Sequence, residues 1–241
     1  MAGFWTFRRG ATPAEQAMGL YGPGHLLWLL GGALVLLLTL RKVRHSPALG
    51  RRLRRWIGLA LPGVELIRVL ALCLAGEFGV GWLPLHLCGL SLFLCTWHSF
   101  RGGGLAGELL YALTLPGAAM ALLFPDWTYL PALNFLSILC FAFHWLLLAY
   151  PAVCLASGAI RPDARRLPRV LAVLLPVTGA VYLFDRTFSV NYFFLIQAPA
   201  GSPLAWFAAF LGTPGYLLGY LPMLALVWLL LYLPLRRKKR K

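Results

Sequence analysis

The chain has 241 residues, 60% of them hydrophobic and only 12% charged, and its mean hydropathy is +0.76. A soluble domain carries about 25% charged residues, so a water-soluble globule is excluded and most of the chain belongs in lipid. The formal net charge is +15, but the basic residues sit between apolar runs, which points to cytoplasmic loops and anionic headgroups and not to nucleic acid.

Residues 1–22 place Phe4, Trp5 and Phe7 beside Arg8 and Arg9. They read as an interfacial segment, because the next apolar run ends in Arg41-Lys42 without a small-residue cleavage site. Seven apolar spans follow, at about Pro23–Leu40, Trp56–Ala75, Val80–Trp97, Leu105–Phe124, Leu130–Leu155, Leu167–Phe184 and Gly215–Leu235. Each is long enough to cross a bilayer at ~1.5 Å per residue. Pro176 is expected to kink the sixth. The basic stretch RKVRHSPALGRRLRR reads as a loop between the first two spans. The stretch Asp185–Leu204, containing NYFFLIQAPAGSP, reads as an aromatic loop on the outer interface.

With seven crossings, the basic residues from Arg41 to Arg55, Arg101, those from Arg161 to Arg169 and the tail at 236–241 fall on one side. Arg8, Arg9 and Arg186 fall on the other. The positive-inside rule then puts the N-terminus outside and the C-terminus in the cytoplasm. The expected fold is an all-α bundle of seven transmembrane helices. It forms a single polytopic domain over residues 1–241 of a multi-pass cell-membrane protein. The sequence sets no oligomeric state.

Polar groups inside these spans are the functional candidates, since they are expensive in hydrocarbon. Glu65 and Arg68 stand at i, i+3 on the second span and share a face. They read either as a structural ion pair or as a carboxylate and guanidinium facing a headgroup cavity. On the third span Cys88, Ser91 and Cys95 share one face, while His86 lies nearly opposite Cys88. His98, at the cytoplasmic end, reads as interfacial and solvated. His144 on the fifth span needs a partner or a wet cavity, with Cys140 one turn back on the same face. Cys88 with His144 would form a thiolate–imidazole pair suited to acyl transfer. The five cysteines lie in apolar spans and are odd in number, so buried free thiols are expected and not a disulfide framework. No metal spacing, Gly-rich phosphate loop or nucleic-acid motif is found, and no metal or cofactor is expected.

The run LPLHLCGLSLF (Leu83–Phe93), the triplet Phe124-Pro125-Asp126, the helix bearing His144, and Asn191-Tyr192 with Leu195 resemble the YwaF-like family of bacterial integral membrane proteins. The resemblance implies seven spans. That family is similar to a eukaryotic transmembrane acyltransferase that remodels polyunsaturated ether phospholipids, with a cysteine as acyl carrier. More distantly it is similar to transmembrane fatty-acid ester hydrolases that use a threonine and a histidine. Carried over, the cysteine is Cys88 and the histidine His144. Many relatives have an acidic residue after the cysteine, where this chain has Gly89.

Two functions are therefore expected. In the first, an intramembrane acyltransferase or ester hydrolase uses Cys88 as nucleophile, His144 as base and His86 as orienting or oxyanion group, with membrane lipids as substrate. Glu65, Arg68, Ser91, Asn191 and Tyr192 would bind that substrate. In the second, a non-enzymatic transporter or binding protein uses His86, Glu65, Arg68 and Asn191 as solute contacts. A third possibility is an assembly partner whose polar groups only satisfy one another.

Overall fold

The computed structural model describes residues 3–7 and 13–238, and among these every regular element is helical. Eight α-helices occur in order: α1 (Pro23–His45), α2 (Pro47–Leu74), α3 (Leu87–Arg101), α4 (Gly104–Leu123), α5 (Phe135–Ala156), α6 (Leu167–Phe188), α7 (Pro203–Gly215) and α8 (Tyr220–Lys238). Among the described residues α1, α2, α4, α5, α6 and the broken stretch Pro203–Leu235 are long and apolar enough to cross a membrane. Their outer faces carry large bare side chains, such as Leu27 at 72% exposure and Phe210 at 87%. So much exposed apolar surface needs lipid around it.

The basic stretch after α1 is helical, not a loop. Lys42, Arg44 and His45 lie in the last turn of α1, where cations complement the helix dipole, with Arg41 just before them. Ser46 alone separates the helices. Its hydroxyl accepts from the Leu49 amide at 3.3 Å, and Pro47 takes the first helical position of α2. Arg51, Arg52, Arg54 and Arg55 then lie on the first turns of α2.

The third span begins at Leu87, not Val80. Pro84 pushes Leu83 into extended backbone, and His86 is still extended as the N-cap residue. Gly89 completes this entry, because a Cβ there would collide with the Pro84 backbone. At 15 residues α3 is only about 22 Å long. It packs along the middle of α2: Arg68 reaches the Trp82 carbonyl just before α3 begins, and Thr96 donates to the Gly58 carbonyl, 2.8 Å away.

The centre of the bundle is α5, which packs against α1, α2, α3 and α4. Its buried Leu147, Tyr150, Val153 and Cys154 form the core with Leu61, Leu92 and Leu110, and its Phe141 packs separately with Met18 and Leu122. Gly32 of α1 lies flat under the Trp145 ring, where any side chain would clash. The basic junctions gather at one end of the bundle. There Gly50 abuts Ser157, Gly58 abuts Ser99, and Arg166 donates to the Gly104 carbonyl at 3.3 Å.

The described part of residues 1–22 is clamped to the loop before α5. Asn134 donates to the carbonyls of Gly3 (2.7 Å) and Thr6 (2.8 Å), and the Met18 amide donates to Leu130. Arg8, Arg9 and the end of the basic tail lie outside the described residues. The expected loop Asp185–Leu204 is shorter than read: it folds tightly over 191–197, and α7 starts at Pro203. Helix α7 breaks at Gly212 and Thr213, so α7 and α8 are not one rod.

Candidate intramembrane site

Helix α3 turns Cys88, Ser91 and Cys95 inward, as its 3.6-residue period requires. Ser91 and Cys95 are buried. Cys88 lines a narrow void together with Leu87, Ser91, Thr114, Gly117, Ala118 and Leu147. The space is too narrow for a water molecule. Thr114 ends a π-turn at Leu110–Thr114 in the middle of α4, and its hydroxyl donates to Ser91 Oγ at 2.9 Å. A π-turn widens a helix locally and recurs at functional sites. Here the Ala112 carbonyl within it accepts from Trp228 of α8 at 3.0 Å.

A second polar group lies where α2, α3 and α5 meet the turn after α6. Arg68 pairs bidentately with Glu65, at 2.8 and 2.5 Å, and donates to the Trp82 carbonyl at 2.8 Å. Both side chains are mostly buried, so the pair neutralises what would otherwise be costly lone charges. His86 and His144 are each in electrostatic range of Arg68 and of one another, and His86 also of Asp126.

The hydrogen bonds of the two imidazoles fix where their protons sit. His144 Nδ1 lies 2.7 Å from the Cys140 carbonyl, which can only accept, so Nδ1 carries the proton. In the neutral ring Nε2 then holds a lone pair. His86 Nδ1 accepts from the Phe193 amide at 3.3 Å, so its proton is on Nε2. The first is set up as a base and the second as a donor. His144 also stacks on Trp127, with centroids 4.9 Å apart.

Asn191 and Tyr192 shape the cover over His86. Asn191 Oδ1 accepts from the amides of Ile196 and Gln197, and its Nδ2 donates to the Gln197 carbonyl. This side-chain turn is typical of asparagine. Tyr192 is buried against the His86 ring, its amide donates to Asp185 and its hydroxyl to the Val80 carbonyl. Phe193 and Phe194 both adopt left-handed backbone, and the hydroxyls of Tyr220 and Tyr216 donate to their carbonyls. Such conformations are strained and persist only where surrounding bonds hold them.

The structure thus brings Glu65 to Arg68, His86 to Tyr192, and Cys88 to Ser91. Among the described residues no hydrogen bond joins Cys88 to His144 or His86, and neither imidazole lines the void. His98 is not solvated: it is buried, with Nδ1 2.9 Å from the Tyr150 hydroxyl. All five cysteines are free, but Cys73 is exposed. Thr114 was not among the residues singled out from sequence, because a π-turn shifts the helical register in a way periodicity does not reveal. Glu108 was also missed. It is buried, and it accepts from the Tyr232 hydroxyl and, at 3.0 Å, from the Asp163 amide. His25 is a structural histidine, held between the Tyr21 amide and the Leu122 carbonyl.

Fold and site together define a multi-pass helical membrane protein with polar and thiol groups enclosed by its helices. The sequence model of the TMEM164 family matches residues 20–232, most of the chain, and the protein belongs to that family. No curated protein and no solved structure matches it.

Proposed function

We propose that this protein is an intramembrane lipid acyltransferase or ester hydrolase of the YwaF-like kind, working through Cys88 and His144. The observation that carries the reading is the pair of imidazole tautomers. His144 presents a lone pair on Nε2, and His86 presents an N–H on Nε2, within electrostatic range of each other. His144 takes the Cys88 proton, the sulfur attacks an acyl ester, and His86 orients the ester or its leaving group. The approach of His144 to Cys88 requires a shift at the α3–α5 contact when lipid binds. Glu65 and Arg68 hold the headgroup side of the site, and Asn191 and Tyr192 hold the cover over His86. The basic junctions of α1–α2 and α5–α6 contact anionic headgroups in the cell membrane. By the positive-inside rule this reading has seven crossings, with the C-terminus in the cytoplasm and the N-terminus outside.

The test is labelling of the purified protein with a phospholipid carrying an alkynyl acyl chain. Wild type should form an acyl-enzyme, and Cys88→Ala, expressed at the same level, should not. Equal labelling of Cys88→Ala ends the reading. Saturable solute uptake into vesicles that survives Cys88→Ala would favour a carrier in its place.

A further inference from the structure

We infer that Ser91 donates the hydrogen bond that stabilises the oxyanion formed when Cys88 attacks an ester, and that Thr114 is the positioning residue that aims it. The inference rests on the acyl-transfer reading above and names a part that reading lacks.

Thr114 and Ser91 face each other between α4 and α3, 1% and 4% exposed, with 2.9 Å between their oxygens. Two hydroxyls carry two protons, and only one is used between them. Neither hydroxyl makes another hydrogen bond among the described residues, so one of the two protons is left over, and with Thr114 donating it is the Ser91 proton. What lies beside it is the void, which Cys88 also lines from one turn earlier on the same helix face. Donor and nucleophile therefore border one small space. No water fits there to take up the Ser91 proton or to screen its dipole. A donor held in so dry a place acts on developing charge far more strongly than in water.

The fold maintains this geometry from both sides. The π-turn at Leu110–Thr114 rotates Thr114 toward α3, and Trp228 pins that turn through the Ala112 carbonyl. Gly117 keeps the next turn of α4 low: a Cβ there would lie 3.2 Å from Leu87 Cδ2 and fill the space. The side chains of Leu87 and Leu147 are the apolar walls that yield when an ester carbonyl enters.

The chemistry balances without any further reagent. His144 removes the thiol proton, and the Cys88 sulfur adds to the ester carbon as the C=O electron pair moves onto oxygen. Ser91 donates a hydrogen bond to that oxygen. Collapse restores the C=O bond, breaks the C–O bond to the lysolipid and leaves the acyl thioester. The departing alkoxide takes the proton from His144.

Single-turnover acylation of Cys88 by the alkynyl phospholipid, read by intact-protein mass, tests this. Ser91→Ala should slow acylation roughly 10²–10³-fold, the loss typical of one oxyanion donor, without changing the half-saturating lipid concentration. Thr114→Val should slow it in the same direction by a smaller factor, and Thr114→Ser should restore the wild-type rate. A merely structural hydroxyl pair would shift thermal stability and leave that rate pattern absent. If wild type forms no acyl-Cys88, the acyl-transfer reading itself fails. If wild type acylates and Ser91→Ala does so within about twofold of it, the oxyanion assignment alone is overturned. Should Ser91→Ala not accumulate as folded protein, the comparison of Thr114→Val with Thr114→Ser decides: equal rates overturn the assignment.

Discussion

His144 donates its Nδ1 proton to the carbonyl of Cys140, one turn earlier on α5, across 2.7 Å. That carbonyl is already part of a helix, so the bond does little for folding that the helix does not do itself. Its effect is on the other nitrogen, which it leaves unprotonated. His144→Asn separates the two roles. An asparagine amide can still donate to the Cys140 carbonyl, but it offers no base. The variant should unfold at the wild-type temperature and lose about 10²–10⁴-fold in turnover of an acyl-labelled phospholipid, the usual contribution of a general base. Turnover within a few-fold of wild type removes His144 from the mechanism.

The Glu65–Arg68 pair makes a different kind of statement, about stability. Arg68→Ala strands a carboxylate among apolar side chains and should cost about 3–5 kcal/mol, as breaking one side of a buried pair does. Glu65→Leu with Arg68→Met removes both charges. It loses the donor to the Trp82 carbonyl, about 1–3 kcal/mol, and should be clearly more stable than the single variant. Denaturant unfolding in micelles measures both. Equal losses in the single and double variants would show that the two side chains are not energetically coupled.

How far the sequence carries such arguments depends on the range of the interaction. The Glu65–Arg68 pair and the shared face of Cys88, Ser91 and Cys95 are local, and helical spacing alone displays them. Hydropathy found the spans, yet it placed the start of α3 seven residues early, because Val80–Leu85 is as apolar as a helix but forms only a 3₁₀ turn at Val80–Trp82 before Pro84 holds Leu83 extended. The basic run after α1 read as loop because charge outweighed Ser46-Pro47, a strong helix-start signal. His98 reads as interfacial from its place at the cytoplasmic end of its span, and only the fold shows Tyr150 arriving from α5. The Thr114–Ser91 contact depends on a π-turn, and the Glu108–Tyr232 bond joins residues far apart in the chain. No local pattern encodes either.

Backbone strain yields a prediction that involves no chemistry. Ser189 ends α6 in left-handed backbone, φ 54° and ψ 43°, and its side chain is exposed. For an L-residue that conformation costs roughly 1–2 kcal/mol, and glycine is the usual occupant of such a helix end. Ser189→Gly should therefore stabilise the protein by about 1 kcal/mol at most, since the glycine also loosens the unfolded chain. A rise in the thermal midpoint is the expected readout. A fall would mean that the serine hydroxyl holds the turn before Asn191.

The last test concerns how α8 is held to the bundle. Tyr232 donates to Glu108, which also accepts from the Asp163 amide and has Arg166 Nη1 at 3.6 Å. Tyr111, one turn from Glu108 on α4, donates to the Leu231 carbonyl at 2.6 Å and packs edge-on to Tyr232. Two tyrosine hydroxyls thus join the same two helices, but their acceptors differ. The Leu231 carbonyl is a neutral helix group, whereas Glu108 is a buried carboxylate. Losing a bond to a charged acceptor costs about 1.5–3 kcal/mol, against about 0.5–1.5 kcal/mol for a neutral one. Tyr232→Phe should therefore lower the unfolding midpoint more than Tyr111→Phe. Proteolysis or hydrogen exchange should show the C-terminal helix opening first in Tyr232→Phe. If the two variants are equally stable, or Tyr111→Phe is the weaker protein, Glu108 is not the main anchor of α8, and the Tyr111 and Trp228 contacts with α4 hold the helix in its place.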